Sequence, residues 1–124
     1  MKKITYNFKD RTAVITGGAQ GFGLDIAKRF LDSGANVIIW DMDAEMTDKA
    51  VKDLNNPNLS SNKIDVSNFK EVQECTNEIL KKTNIDILIN NAGITGPTAT
   101  LWEYDIEMWK KVVDINLMGT FNCC

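Results

Sequence analysis

Short runs of apolar residues recur along the chain, and each is bounded by polar or turn-forming residues. Runs rich in Val and Ile without polar alternation are typical of strands that are buried on both faces of a parallel sheet. The runs predict four strands, which cover Thr12–Thr16, Asn36–Trp40, about Leu59–Ile64, and Ile85–Ile89.

Between the strands, apolar residues recur at the spacing of one helical face. The first helix runs from Phe22 and is expected to end at Gly34 as its C′ residue. Three further helices are predicted, each behind a polar N-cap. They are Asp43 before Met46, Ala50, Val51 and Leu54; Ser67 before Phe69, Val72, Cys75 or Thr76, Ile79 and Leu80; and Asp105 before Ile106 to about Cys124.

Strands and helices alternate at roughly 30 residues per unit, the spacing of βαβ units. This predicts an α/β fold with a Rossmann-type doubly wound parallel sheet of strand order 3-2-1-4. No repeat or second domain is visible, so residues 1–124 are expected to form one domain. A complete sheet of six or seven strands needs roughly 200 residues or more. We therefore expect the front half of a domain that is truncated at its C-terminus.

The composition, with 44% hydrophobic and 25% charged residues, is that of a globular domain. The net charge is −3 and no basic stripe occurs, so nucleic acids and membrane surfaces are not expected partners. Apolar runs are too short to span a bilayer and no signal-peptide pattern is present, so we expect a cytoplasmic protein. Three cysteines without C-x-x-C spacing fit reduced thiols. The absence of histidine argues against Ser-His-Asp hydrolysis, papain-type chemistry and histidine-based metal sites, and no metal site is predicted.

The turn between the first strand and the first helix has the spacing G-x-x-x-G-x-G. In such a turn one glycine permits the tight bend, a second lets backbone N–H groups approach a pyrophosphate, and a third lets the helix pack on the strand. A glycine-rich turn that binds nothing is the alternative, but the strand before it and the helix after it favour phosphate binding. The predicted residues are Gly17, Gln20, Gly21, Phe22 and Gly23.

Asp41 lies 18 residues after Gly23, at the end of the second strand. In dinucleotide-binding folds a carboxylate about 20 residues beyond the glycine turn binds the adenosine ribose. The 2′-phosphate of NADP would be repelled by Asp41 and would need a nearby arginine, which neither Gln20 nor Met42 supplies. The sequence therefore predicts NAD as the cofactor, with Asp41 and Met42 in its site. The alternative is that Asp41 only begins a turn.

These motifs together resemble those of the short-chain dehydrogenase/reductase family. The family's cofactor turn T-G-x-x-x-G-x-G is matched at Thr16–Gly23 and its N-N-A-G motif at Asn90–Gly93, and the resemblance covers essentially the whole chain. Asn90–Gly96, Trp102 and Asp114–Cys124 are most similar to 3-oxoacyl-acyl-carrier-protein reductases and to sugar and polyol dehydrogenases. The resemblance implies hydride transfer between NAD and a small carbonyl or alcohol substrate. It also implies a dimer or tetramer of identical chains with the last helix at an interface.

The resemblance further implies roles for individual residues. Asp65 would bond the adenine amino group with help from the Val66 backbone, although from the residues alone Asp65 is equally compatible with a turn or cap. Asn116 matches the family's catalytic asparagine, which distorts its helix and holds a water of the proton relay. Without the resemblance, Asn116 would be only a polar residue in a helix. The segment beside the adenosine ribose, which would also stabilise the central sheet, would be Asn91, Ala92 and Gly93.

The sequence departs from the family pattern after Asn116. The family's catalytic Ser and Tyr-x-x-x-Lys pair should follow it, and neither Tyr6 nor Tyr104 has a lysine four residues on. These 124 residues are therefore expected to bind the cofactor without efficient hydride transfer. Two other functions stay open. One is a non-catalytic dinucleotide-binding fragment or interaction module. The other is a methyltransferase, which also uses a doubly wound sheet but against which the two motifs argue.

Overall fold

The computed structural model describes residues 4–124 and contains a four-stranded sheet. The strands are β1 (Thr12–Thr16), β2 (Asn36–Asp41), β3 (Leu59–Lys63) and β4 (Ile87–Ile89). Their spatial order is β3-β2-β1-β4 and every pairing is parallel. The predicted α/β sheet and its 3-2-1-4 order are therefore confirmed.

Helices connect the strands and follow the last of them. They are α1 (Gly21–Asp32), α2 (Ala44–Leu54), α3 (Phe69–Leu80), α4 (Ile106–Val113) and α5 (Gly119–Cys123). A 3-10 turn at Leu101–Glu103 precedes α4, and a π turn at Asp114–Met118 joins α4 to α5. The helix predicted from Ile106 onward is therefore present, but the π turn interrupts it.

The side chains of the sheet alternate between two apolar clusters, one on each face. The first cluster contains Ile15, Val37, Ile39 and Leu59 with Ala27 and Leu31 of α1. The second contains Val14, Ile38, Trp40 and Ile64 with Val72 and Ile79 of α3. Helix α2 packs against the first cluster through Val51 and Leu54, and α5 packs against the second through Cys123. Helices thus cover both faces, which is the doubly wound arrangement.

Helix α1 is followed by Gly34 at its C′ position, as the sequence predicts. Gly34 has φ +88°, a left-handed conformation that costs glycine little. Its N–H donates to the Leu31 carbonyl at 3.0 Å, and the Ala35 N–H donates to the Phe30 carbonyl at 3.0 Å. These two bonds form a Schellman motif, which turns the chain into β2.

The start of α3 differs from the prediction. Its N-cap is Asn68, whose side-chain oxygen accepts the Glu71 N–H at 3.3 Å, and not Ser67. Ser67 does not cap the helix, because its hydroxyl donates to the Asp65 carboxylate at 2.6 Å.

The buried stripe of α3 is also narrower than predicted. Phe69 and Leu80 are 54% and 53% exposed. Val72 and Ile79 are buried and lie two turns apart, so they share one line along the helix. Phe69 and Leu80 lie at the helix ends and to the sides of that line, which leaves them in solvent.

Strand β4 begins at Ile87 and not at the predicted Ile85. Just before it, the Asp86 carboxylate accepts the Thr12 N–H at 2.9 Å and the Arg11 guanidinium at 3.0 Å. The Asp86 side chain thus accepts the Thr12 N–H, which a backbone carbonyl would accept in a regular parallel ladder. The Thr12 N–H, and secondly Arg11, hold the pKa of Asp86 below its usual range.

All three cysteines are free thiols. Cys75 and Cys123 are half-buried against the second cluster. Burial, with a smaller contribution from Glu78, raises the pKa of Cys75, and burial beside Cys124 raises the pKa of Cys123 to about 11. Both thiols therefore stay protonated near neutral pH and are poor nucleophiles.

Candidate functional site

A cleft of about 360 Å³ lies at the carboxyl ends of the strands. It is lined by the end of β2, by the segments that follow the four strands, and by Ile115 of the π turn. In an open parallel sheet, ligands bind outside the carboxyl ends of the strands, at the point where the strand order reverses. The order reverses between β1 and β4. The cleft is therefore where this fold is expected to hold a ligand.

Most of the predicted site residues are brought together by this cleft. Those that line it are Gly17, Gln20, Asp41, Met42, Val66, Asn91, Ala92 and Gly93. The others, which do not line it, are Gly21, Phe22, Gly23, Asp65 and Asn116. The three α1 residues of that second group form the first turn of the helix, and the Phe22 side chain is 87% exposed. Asp65 lies between two lining residues, Ile64 and Val66.

At the three motif positions of the turn between β1 and α1, glycine is needed for different structural reasons. Gly17 and Gly21 have φ of +62° and +55°, a region that favours glycine. A Cβ at Gly17 would also lie 2.9 Å from the Ala92 Cα, so the turn packs directly on the segment after β4. A Cβ at Gly23 would lie 2.2 Å from the Gly17 oxygen. The third glycine therefore permits helix α1 to pack against the turn.

The first turn of α1 has no capping side chain. Its N-cap, Gln20, makes no side-chain capping hydrogen bond, and the turn contains no acidic residue. By contrast α2, α3 and α4 are capped by Asp43, Asn68 and Asp105. A helix N-terminus carries N–H donors and a partial positive charge. Among these four helices, α1 is thus the one whose first turn is left for an external anion.

Thr16 and Asn91 join the glycine turn to the N-N-A-G segment. The buried Thr16 hydroxyl accepts the N–H groups of Asn91 and Ala92 at 3.0 and 2.9 Å. The Asn91 amide Nδ2 donates to the carbonyls of Thr16 and Gly17, both at 3.0 Å. These four bonds fix the ends of β1 and β4 relative to each other. Sequence analysis did not assign this role to Thr16, although Thr16 is the first residue of the matched turn motif.

Asp41 is the last residue of β2, and its carboxylate already binds two backbone groups. Oδ2 accepts the Ala19 N–H at 3.1 Å, and Oδ1 accepts the Asp43 N–H at 3.0 Å. The first bond ties the glycine turn to β2, and the second begins the turn before α2. Because an ionised carboxylate has about four acceptor positions, Asp41 keeps acceptor capacity in the cleft. Asp41 therefore does begin a turn, and this does not prevent it from binding a ligand.

Asp65 also forms a turn. Its Oδ1 accepts the Ser67 N–H at 2.9 Å as well as the Ser67 hydroxyl. This is an Asx turn, which is one of the two interpretations left open by the sequence. Among residues 4–124, no hydrogen-bond donor contacts the Asp65 Oδ2 atom, so that oxygen is left for a ligand.

The π turn places Asn116 against the segment after β4. Its Oδ1 accepts the Ile94 N–H at 2.8 Å, and its Nδ2 donates to the Ile94 carbonyl at 2.9 Å. Both polar atoms of the side chain are thus used to hold one residue that lines the cleft. π turns inside α-helices occur frequently at functional sites. What the structure shows directly is that Asn116 positions Ile94.

Sequence analysis missed several lining residues, namely Trp40, Asp43, Ile64, Ile94 and Ile115. Trp40 and Ile64 are the last residues of predicted strands, and the ends of parallel strands meet at one edge of the sheet, so these two could have been found. Ile115 could not, because its place in the cleft depends on how the last helix packs back on the sheet.

Residues 4–124 contain neither a candidate metal site nor a candidate membrane-spanning helix. No group of three or more His, Cys, Asp or Glu side chains there could hold a metal ion. None of the helices there combines the length and apolarity needed to cross a membrane.

The family of the chain follows from its match to a known family model. The family model described as short chain dehydrogenase matches residues 11–124. The chain belongs to this family. The resemblance found in the sequence motifs is therefore confirmed.

The chain has relatives among curated proteins. The chain is 32% identical, over 94% of its length, to a 2-dehydro-3-deoxy-L-rhamnonate dehydrogenase (NAD(+)) of Sphingomonas sp.. It is 36% identical, over 92% of its length, to the 3-oxoacyl-acyl-carrier-protein reductase FabG of Chlamydia pneumoniae. It covers 46% and 47% of these two proteins, so the chain spans about half the length of the curated relatives it matches.

A solved structure of the family is similar over nearly the whole chain. It is described as a short-chain dehydrogenase/reductase, glucose/ribitol dehydrogenase, of Brucella melitensis, and it superimposes with a TM-score of 0.90 at 31% identity. The match covers 98% of this chain and 52% of that one.

Proposed function

We propose that these residues form the NAD-binding part of an oxidoreductase that transfers hydride between NAD and a small carbonyl or alcohol substrate. The observation that carries the proposal is the placement of Asp41, which shares one cleft with the glycine turn and the N-N-A-G segment. Ribose hydroxyls donate hydrogen bonds to a carboxylate, and Asp41 keeps acceptor capacity for them. A 2′-phosphate at the same place would meet a like charge.

We propose that the rest of the cofactor lies along the cleft. The pyrophosphate lies against Gly17, Gln20 and the first turn of α1, which is formed by Gly21, Phe22 and Gly23, and the absence of a side-chain cap supports this placement. The adenine lies beside Asp65 and Val66, which the unused Asp65 Oδ2 supports. The adenosine ribose lies beside Asn91, Ala92 and Gly93. The relative from Sphingomonas is named for NAD(+), and it is similar over most of this chain.

We assign no proton transfer to these 124 residues. Among the described residues that line the cleft, the titratable side chains are Asp41 and Asp43. The carboxylate oxygens of both already accept backbone N–H groups. In this proposal Asn116 acts by positioning Ile94, which lines the cleft.

We also propose that the last helix takes part in self-association. Leu117 and Phe121 are 65% and 70% exposed, although both are large and apolar. Apolar surface of this kind is typical of an interface with another polypeptide.

Titration of the chain with NADH and with NADPH, followed by cofactor fluorescence, tests the proposed function. We expect saturable NADH binding, and NADPH binding at least about tenfold weaker because of repulsion by Asp41. Equal or tighter binding of NADPH would contradict the NAD preference. Failure to bind either nucleotide would overturn the dinucleotide site.

Replacing Asp41 by asparagine and Met42 by arginine is expected to shift the ratio of the two dissociation constants toward NADPH. The shift should be at least about tenfold, or about 1.4 kcal/mol, because a repulsive charge is removed and a phosphate-binding cation is added. Asparagine keeps a side-chain acceptor, so one of the Asp41 contacts to the turn backbone can persist. The matched control is Asp48→Asn, which removes the same charge from the exposed side of α2 and should leave the ratio unchanged. An unchanged ratio in the double variant would show that Asp41 does not contact the ribose.

A further inference from the structure

Asn122 of α5 does not line the cleft, yet it binds one of the loops that do. Its Nδ2 donates to the Val66 carbonyl at 2.9 Å and to the Ser67 carbonyl at 3.3 Å. These residues are 56 and 55 positions away in the sequence. Helix α5 is thus attached directly to the loop between β3 and α3.

The two carbonyls belong to consecutive peptide groups, and Asp65 binds the N–H of each. The Ser67 N–H donates to the Asp65 carboxylate at 2.9 Å, and the Asn68 N–H donates to the Asp65 backbone carbonyl at 2.9 Å. A peptide group is planar, so its C=O and N–H turn together. Each plane is therefore held by Asn122 on one side and by Asp65 on the other. Without the Asn122 contacts both planes would be held by Asp65 alone, so the two peptide groups and the Asp65 carboxylate could turn together.

Gly119 permits this close approach of α5. It is buried, and a Cβ at this position would lie 2.6 Å from the Val66 Cγ2 atom. Val66 itself is 4% exposed and lines the cleft. A larger residue at position 119 would therefore displace the same loop while leaving the Asn122 amide intact.

We propose that Asn122 is a positioning residue for adenine recognition, which it achieves by orienting the Asp65 carboxylate through these two peptide groups. The inference rests on the proposed function, in which the adenine lies beside Asp65. Ser67 occupies Oδ1, so Oδ2 is the acceptor for the 6-amino group of adenine. In the hypoxanthine analogue of NADH, a carbonyl replaces that amino group and cannot donate to Oδ2. The ratio of the two dissociation constants therefore measures the contact.

The experiment compares NADH with its hypoxanthine analogue by fluorescence titration in the unmodified chain and in Asn122→Leu. The unmodified chain should prefer NADH by about tenfold, the effect of one hydrogen bond to a charged acceptor. Asn122→Leu should lose this preference, with weaker NADH binding and an unchanged affinity for the analogue. Asn122→Gln keeps the amide donor and should recover part of the preference. The same change to leucine at the exposed Asn77 of α3 should leave it intact.

A second variant makes the test independent of the first. Gly119→Ala should reduce the preference in the same selective way, and Asn122→Ala replaces Asn122→Leu if the latter does not fold in a thermal melt. The inference is overturned if the unmodified chain binds both nucleotides equally, if the variants keep the preference, or if they weaken both nucleotides alike. In those cases the proposed function still stands. If the unmodified chain binds neither nucleotide, the proposed function itself fails.

Discussion

Replacing Gly23 by alanine is expected to abolish NADH binding and to lower the free energy of unfolding by about 1–3 kcal/mol. The added Cβ would lie 2.2 Å from the Gly17 oxygen and 2.5 Å from the Asn91 Nδ2 atom. Those two atoms are hydrogen-bonded to each other at 3.0 Å, so the methyl group would separate a donor from its acceptor. The glycine turn and the N-N-A-G segment would then both have to move. Urea denaturation and NADH titration measure the two effects.

Gly21→Ala is the matched control, since it adds the same methyl group two residues earlier. Apart from its chain neighbours and the backbone of its own helix, a Cβ at Gly21 meets no atom of residues 4–124 within 4 Å, so the cost there comes from φ +55°. We expect a loss of about 1 kcal/mol in stability from this backbone conformation. Because the added methyl group displaces no neighbour in the described part of the chain, weaker NADH binding by this variant would report contact with the pyrophosphate. Normal NADH binding by Gly21→Ala would argue against a pyrophosphate at this turn. Normal NADH binding by Gly23→Ala would show that cofactor binding does not depend on the geometry of the turn.

The sheet could be predicted from the sequence because its central strands are buried on both faces. Every residue of β1 is buried, so its apolar run has no polar alternation that could be confused with an exposed strand or a helix face. The glycines were equally informative, because Gly17, Gly21 and Gly34 occupy backbone conformations that other residues rarely adopt. The residues that follow the strands could then be assigned to one edge by topology alone.

Element boundaries that depend on competition between neighbouring side chains could not be predicted from the sequence in the same way. Ser67 and Asn68 are both good N-caps, and the choice between them depends on Asp65, which binds the Ser67 hydroxyl. The start of β4 depends likewise on Asp86, whose carboxylate binds the Thr12 N–H across 74 positions of sequence. A periodicity argument describes one element at a time and contains no information about such partners.

The candidate site likewise combines local features that the sequence predicts with long-range contacts that it does not. Its glycine turn and Asp41 follow from spacing within one βαβ unit, whereas the contacts of Asn116 and Asn122 join the last helix to loops that come much earlier in the chain. Asn116 could be assigned only through the family resemblance. Asn122 gave no signal, because a single amide on a helix is compatible with an exposed residue.

Thr16→Val is expected to lower the free energy of unfolding by about 2–4 kcal/mol, because valine has the shape of threonine but no acceptor. The Thr16 hydroxyl is the partner of the Asn91 and Ala92 N–H groups, and each lost partner of a buried donor costs about 1–3 kcal/mol. The loss should also weaken NADH binding, since the N-N-A-G segment is no longer held against β1. Thr16→Ser keeps the acceptor and should recover most of both losses.

The control for Thr16→Val is Thr12→Val, at the other end of the same strand. Both threonines are buried, at 1% and 2% exposure. The Thr12 hydroxyl, however, only shares a 3.2 Å hydrogen bond with the hydroxyl of Thr83, which is exposed and can bond to water instead. Thr12→Val should therefore cost about 1 kcal/mol or less and leave NADH binding unchanged. Equal losses for the two valine variants in urea denaturation would show that the cost comes from burial of the strand, and that the Thr16 hydroxyl does not hold the site together.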